Sequence, residues 1–158
     1  MNSEQKIIDM LIKQSNGVIL KAESDSDGLL NIGINLVKYY PHGALIREHD
    51  ICTEKQAMDW AHKKLHKDVY PEVYAFCRRH HVPIEVYESL CVFAYNEGTD
   101  FIKTNPFIVC LVNSRWSDLS KLMAGYHLID GVFSKEKVGK RMIEMGNFMP
   151  IYRKELQE

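Results

Sequence analysis

Asp25 and Asp27-Gly28 place two carboxylates in a turn-forming stretch, and Asn16-Gly17 stands just before them at the end of a helical pattern. A carboxylate accepts protons and binds hydroxyl groups. A carboxamide such as Asn16 offers N–H donors and a carbonyl acceptor, but no titratable proton. Asp25, Asp27 and Gly28 resemble the start of a calcium loop whose remaining ligand positions are missing, so no metal is expected there. His62 and His66, four apart, share one helical face, but Lys63, Lys64 and Lys67 surround them and no partner carboxylate is evident. A solvated face is expected in preference to zinc. Arg78-Arg79-His80-His81 reads as a helix end, where basic groups complement the macrodipole. Cys91 lies between Leu90 and Val92 and reads as packing rather than a nucleophile.

The elements that must hold these residues follow from periodicity and punctuation. Ile7, Ile8, Leu11 and Ile12 recur at helical spacing after Asn2-Ser3, whose side chains can cap a first turn, and this helix should end near Ser15 to Gly17. From Val18 to Val37 the runs VILKA and LLNIGINLV are separated by SDSDG, which predicts a hairpin or three-stranded sheet. Thr53 is a predicted N-cap, with Gln56 completing a capping box, for a helix running through Trp60 and Leu65. Apolar stretches at 69–77, 84–95, 106–113 and 115–123 read as helices, with Pro83 and Pro106 near helix starts, and a last helix is expected over 134–146. The fold class is therefore α+β, predominantly helical, with strands confined to the first quarter.

Composition narrows the function classes. The 158 residues, 46% hydrophobic, suffice for one substantial core and predict a single domain. Twenty lysines and arginines against 21 aspartates and glutamates leave a formal charge of −1, which gives no field to recruit nucleic acid. Charges interrupt the first fifteen residues before any long apolar run forms, so neither a signal peptide nor a membrane span is expected. The four cysteines lack CxxC spacing and fit buried free thiols, which points to the cytoplasm.

The order of these motifs resembles the phage-type lysozymes, a muramidase family. VILKAESDSDGLLNIGI is similar to that family's hairpin, and Ile51 to Ala57 to the helix start after it. Tyr87-Glu88-Ser89-Leu90-Cys91-Val92-Phe93-Ala94-Tyr95-Asn96-Glu97-Gly98 resembles the family's central helix. Phe101 to Thr104, Leu111-Val112-Asn113 and Lys140 to Glu144 follow in the family's order. The resemblance implies a lysozyme-like fold over 1–158: a β-containing lobe at about 16–52, a connecting helix at about 53–75, and a helical lobe at about 76–158 that the first helix completes. A cleft should lie between the lobes, with Asn16, Asp25 and Asn31 at its mouth.

Family chemistry needs a carboxylic acid to protonate the glycosidic oxygen and a carboxylate across the cleft. The resemblance places these roles, with the residue that positions water, on Asn16, Asp25 and Asn31; only the aspartate is retained. Asn35-Leu36 also departs from the family's Gly-His. General acid catalysis is then expected to be lost, because Asn16 cannot deliver a proton. Glu23, two residues before Asp25, would replace the acid only in a rearranged hairpin. Asp25 itself either binds sugar hydroxyls or caps its own turn. Tyr95, Asn96 and Glu97 are the candidates for lining the glycan cleft. Three functions follow: an impaired muramidase that binds peptidoglycan or amino-sugar oligosaccharides, an interaction protein using the scaffold against a host or phage protein, and an active endolysin with an unusual acid. None calls for a cofactor.

Overall fold

A computed structural model describes residues 3–148 and 150. Asn2, one of the expected capping residues, and the end of the chain beyond 150 lie outside them. Helix α1 (Ser3–Gln14) buries Ile7, Ile8 and Leu11, the stripe its periodicity predicts. It stops in a Schellman-type end: the Gly17 N–H donates to Ile12 O at 2.9 Å and the Asn16 N–H to Lys13 O at 3.3 Å. Asn16 is left-handed there, at φ 57°, and Gly17 follows at φ 119°.

Strands β1 (Ile19–Ser24) and β2 (Leu30–Gly33) pair antiparallel, with Glu23 opposite Asn31 and an irregularity between Ile19 and Glu23. The strand expected to run on to Val37 ends at Gly33. Gly33 and Asn35 have φ of 66° and 54°, and Ile32 and Leu36 exchange backbone hydrogen bonds across the resulting turn. Ile32, Ile34 and Leu36 are all buried, so the alternation that suggested a strand persists through a turn. At Gly33 a Cβ would stand 3.4 Å from the Trp60 ring, which adds crowding to an already unfavourable φ.

Helix α2 (Glu54–Lys64) starts with the expected box: Thr53 Oγ1 accepts from Gln56 N at 3.1 Å, and Thr53 N donates to Gln56 Oε1 at 2.9 Å. Thr53→Ala is expected to cost about 1 kcal/mol in urea unfolding, because the Gln56 N–H loses its side-chain acceptor. The helix passes through a π turn, Leu65–Val69, into α3 (Tyr70–Arg79). Pro71 has no N–H for the regular ladder, and Tyr70 N–H reaches back to Leu65 O instead. As expected, α3 ends at the basic cluster, with His80 as its C-cap.

Helix α4 (Ile84–Glu97) is buried continuously from Glu88 to Tyr95 and packs against α1, α3 and a C-terminal helix, α7 (Lys135–Gly146). A helix enclosed on all sides needs apolar residues all round, which is how LCVFA reads. Helices α5 (Asn105–Val112) and α6 (Trp116–Ala124) complete the helical part. Strands are not confined to the first quarter. Leu128–Ile129 (β3) and Val132–Phe133 (β4) form a second hairpin around Asp130-Gly131, both at positive φ. An Asp-Gly pair between short apolar runs is a hairpin signal that the helical pattern on either side obscures. No helix among the described residues is long and apolar enough to cross a membrane.

Candidate functional site

The β1–β2 hairpin, the end of α1 and the first two turns of α7 line a cleft of about 590 Å³, with Asn16, Glu23, Asp25 and Asn31 meeting Glu136 and Lys140 of α7. A neighbouring cavity of about 370 Å³ shares Asp25, Asn35, Glu136 and Lys140 and extends the cleft toward α4. The tip of the hairpin is tied to the start of α7. Ser26 donates from its N and Oγ to Glu136 Oε1, at 3.0 and 2.6 Å, and Ser134 Oγ donates to Asp27 Oδ2 at 2.6 Å.

The three expected catalytic positions therefore meet in one cleft, each with a local task. Asn16 is exposed and supplies the left-handed residue that ends α1, a conformation asparagine tolerates better than most side chains. Asp25 Oδ1 accepts from Asp27 N at 2.9 Å and Leu29 N at 3.0 Å, so the aspartate does cap its own turn. Its Oδ2 accepts from Asn31 Nδ2 at 3.0 Å, and that same amide group also donates to Leu29 O. The Asn31 donors are thus turned toward the hairpin.

The α4 residues expected to face a ligand are committed elsewhere. Tyr95 borders the smaller cavity but is 1% exposed, and its hydroxyl donates to Ile34 O at 2.6 Å. Asn96 Nδ2 donates to Gln14 Oε1 and Glu144 Oε2. Glu97 accepts from Arg141 Nη1 at 2.6 Å and Lys137 Nζ at 3.1 Å. Asn96 and Glu97 border the smaller cavity but are held by these partners.

Behind Asn16 lies a buried polar network that sequence reading missed. Gln14 Oε1 also accepts from Asn35 Nδ2 at 3.0 Å, while Gln14 Nε2 donates to Glu144 Oε2 and Lys140 O. Arg141 Nη2 donates to Glu144 Oε2 at 3.0 Å; Arg141 Nε lies 2.6 Å from Glu144 Oε1, an ion contact outside hydrogen-bonding geometry. The network joins the end of α1, the turn after β2, α4 and α7. One signal was available: Gln14 interrupts the stripe Ile7, Leu11 at the next buried helical position.

Electrostatics separates the cleft groups. The two Ser26 hydrogen bonds hold the Glu136 carboxyl below the usual range, so it is ionised near neutrality. Burial, then the neighbouring Arg141, pushes the Lys140 ammonium down, opposed by Asp25, Glu144 and Glu136. Burial also brings Lys64 to about 8, where its ammonium lies 4.3 Å from the centre of the Tyr95 ring. Cys91 is pushed up by burial and is packing, as expected.

Away from the cleft, His62 and His66 do have a carboxylate partner. Glu4 Oε1 lies 3.1 Å from His62 Nδ1 and 2.7 Å from His66 Nε2. Its position 58 residues earlier in the chain concealed it.

Residues 13–139 match the family described as phage lysozyme. Among solved structures, the muramidase domain of SpmX from Asticaccaulis excentricus is 17% identical with a TM-score of 0.63, over 94% of this chain and 97% of that one. The endolysin from Escherichia coli O157:H7 phage FAHEc1 is 18% identical with a TM-score of 0.63, over 94% of each chain. No curated protein matches.

Proposed function

Because this chain belongs to the phage lysozyme family, we propose that it binds β-1,4-linked amino-sugar strands of peptidoglycan in the hairpin cleft and is impaired in cutting them. The observation that carries this reading is the end of α1. The residue in the acid's place is a carboxamide that closes the helix, exposed and without a proton to give. The carboxylates beside it do not supply the missing function well. Glu136 is ionised and held by Ser26, and both Asp25 oxygens accept hydrogen bonds within the hairpin. Glu23 lines the cleft but is exposed on β1, opposite Asn31.

Glycan binding fits the same cleft. Carboxylates, amides and two lysines line it, and acetamido and hydroxyl groups pair with such donors and acceptors. The expected result is saturable binding of purified peptidoglycan fragments without release of new reducing ends. Asp25→Asn, which keeps an acceptor for the turn, should weaken binding about tenfold through the loss of one charged hydrogen-bond partner. Release at the rate of an ordinary endolysin would overturn the impairment. Glu23→Gln and Glu136→Gln would then show which carboxyl acts as the acid.

A protein partner is the second reading. Val132 and Phe133, 68% and 65% exposed on the β3–β4 hairpin, favour it. Absence of glycan binding, together with loss of partner capture in Phe133→Ser, would turn the assignment that way.

A further inference from the structure

Two helices meet at a cluster that neither the cleft nor the core explains. Glu4 lies in the first turn of α1, His62 in the last turn of α2 and His66 in the π turn that follows. The Glu4 carboxylate and the two imidazoles offer three ligand atoms within 4.8 Å of one another. We propose that Glu4, His62 and His66 form a site for a divalent cation of zinc type, which clamps α1 to the α2–π segment.

Geometry and donor chemistry carry the assignment. Two imidazole nitrogens and one carboxylate oxygen are a three-ligand zinc set with the fourth position open to water. Metal–ligand bonds of about 2.0–2.1 Å put neighbouring ligand atoms of a tetrahedron about 3.3 Å apart. The Glu4 oxygen is already 3.1 and 2.7 Å from the two ring nitrogens, so openings of about 0.2 and about 0.6 Å would bring these pairs to that spacing. The rings are inclined by 29°, with centroids 6.4 Å apart, as two residues one turn apart on a helix should be. All three side chains reach solvent, at 34%, 43% and 62% exposed for Glu4, His62 and His66.

The surroundings also suit a ligand site. Tyr70 stands edge-on to His66 at 5.0 Å, and its hydroxyl lies 3.4 Å from Glu4 Oε1, where it can orient the carboxylate. Burial alone would raise Glu4, but hydrogen bonds and charge from His62 and His66 outweigh it and keep the carboxyl below its ordinary range. A ligating carboxylate must be ionised, and it is. Lys63 and Lys67 are exposed neighbours whose repulsion solvent and salt reduce. Without metal, Glu4 accepts one N–H from each ring. Coordination needs the ligating nitrogen of each ring, Nδ1 of His62 and Nε2 of His66, to be free of its proton.

The test is a calorimetric titration of the metal-stripped full chain with zinc sulfate, supported by thermal melts and imidazole NMR. The expected result is one equivalent bound, a raised Tm, and shifts at the His62 and His66 rings that exceed those at His42, His49, His80, His81 and His127. Glu4→Gln and His66→Gln should each weaken binding by about tenfold or more. His66 is exposed and Glu4 half-buried, and the melt of each metal-free variant checks that it folds. Zinc binding unchanged in both variants, or no saturable binding in the natural chain, would overturn the site and leave the cluster a hydrogen-bonded contact. Peptidoglycan binding lies outside this test, because Glu4 is about 15 Å along α1 from Gln14.

Discussion

Asn16→Glu is expected to raise hydrolysis of purified peptidoglycan by about 10²–10⁴-fold, the range that a positioned general acid supplies. The substitution restores a proton donor at the mouth of a cleft that already contains Asp25. It has a local cost. Asn16 ends α1 at φ 57°, and a glutamate held there is disfavoured by about 1–2 kcal/mol. A folded domain tolerates that loss, and a thermal melt measures it. Because position 16 is exposed, no burial would raise the new carboxyl above the ordinary glutamate range. The acid must be protonated to act, so the gained activity should be greatest in mildly acidic buffer and decline toward neutrality. Asn16→Gln keeps an amide and should gain nothing. If Asn16→Glu also gains nothing while binding glycan, the fault lies in the hydrogen bonds that occupy Asp25 and Asn31, and Asn31→Thr joined to Asn16→Glu becomes the next variant.

Much of this was legible in the sequence because the signals were local. The Thr53 box, the helix ending near Gly17 and the apolar run of α4 each depend on neighbouring residues, and each occurs where its pattern predicts. Asn16, Asp25 and Asn31 were singled out through the family resemblance, and all three line the same cavity. What stayed hidden depends on contacts distant in sequence or on backbone sign. Glu4 meets His62 and His66 only after two helices pack. The positive φ at Asn35 turns a strand-like alternation into a bend and carries its amide to Gln14. The hydrogen bond from the Tyr95 hydroxyl to Ile34 O has the same origin, since it joins residues 61 apart in the chain.

Arg141 provides the largest expected effect on stability. Its side chain is 1% exposed and holds Glu144, at 0%, and Glu97, at 13%, while its guanidinium lies 4.7 Å from the centre of the Phe93 ring. Arg141→Met keeps most of the volume and removes the charge, which should cost about 3–5 kcal/mol in urea unfolding because Glu144 is left buried without its cation. Lys137 still serves Glu97, so the unpaired charge is chiefly that of Glu144. Burial raises the Glu144 pKa, and without Arg141 it should rise further. A carboxyl whose folded pKa exceeds its unfolded value contributes stability at low pH and loses it as pH rises through the folded pKa. The deficit of Arg141→Met should therefore be smallest in acid and grow toward neutrality, whereas a simple packing defect would not change with pH. Adding Glu144→Gln should recover part of the loss at neutral pH, since a neutral amide can still accept from Gln14 and Asn96. The same network fixes Gln14, two residues before Asn16, so Arg141→Met should weaken glycan binding under conditions where it remains folded. If binding is untouched while stability falls, the network supports the fold without setting the cleft.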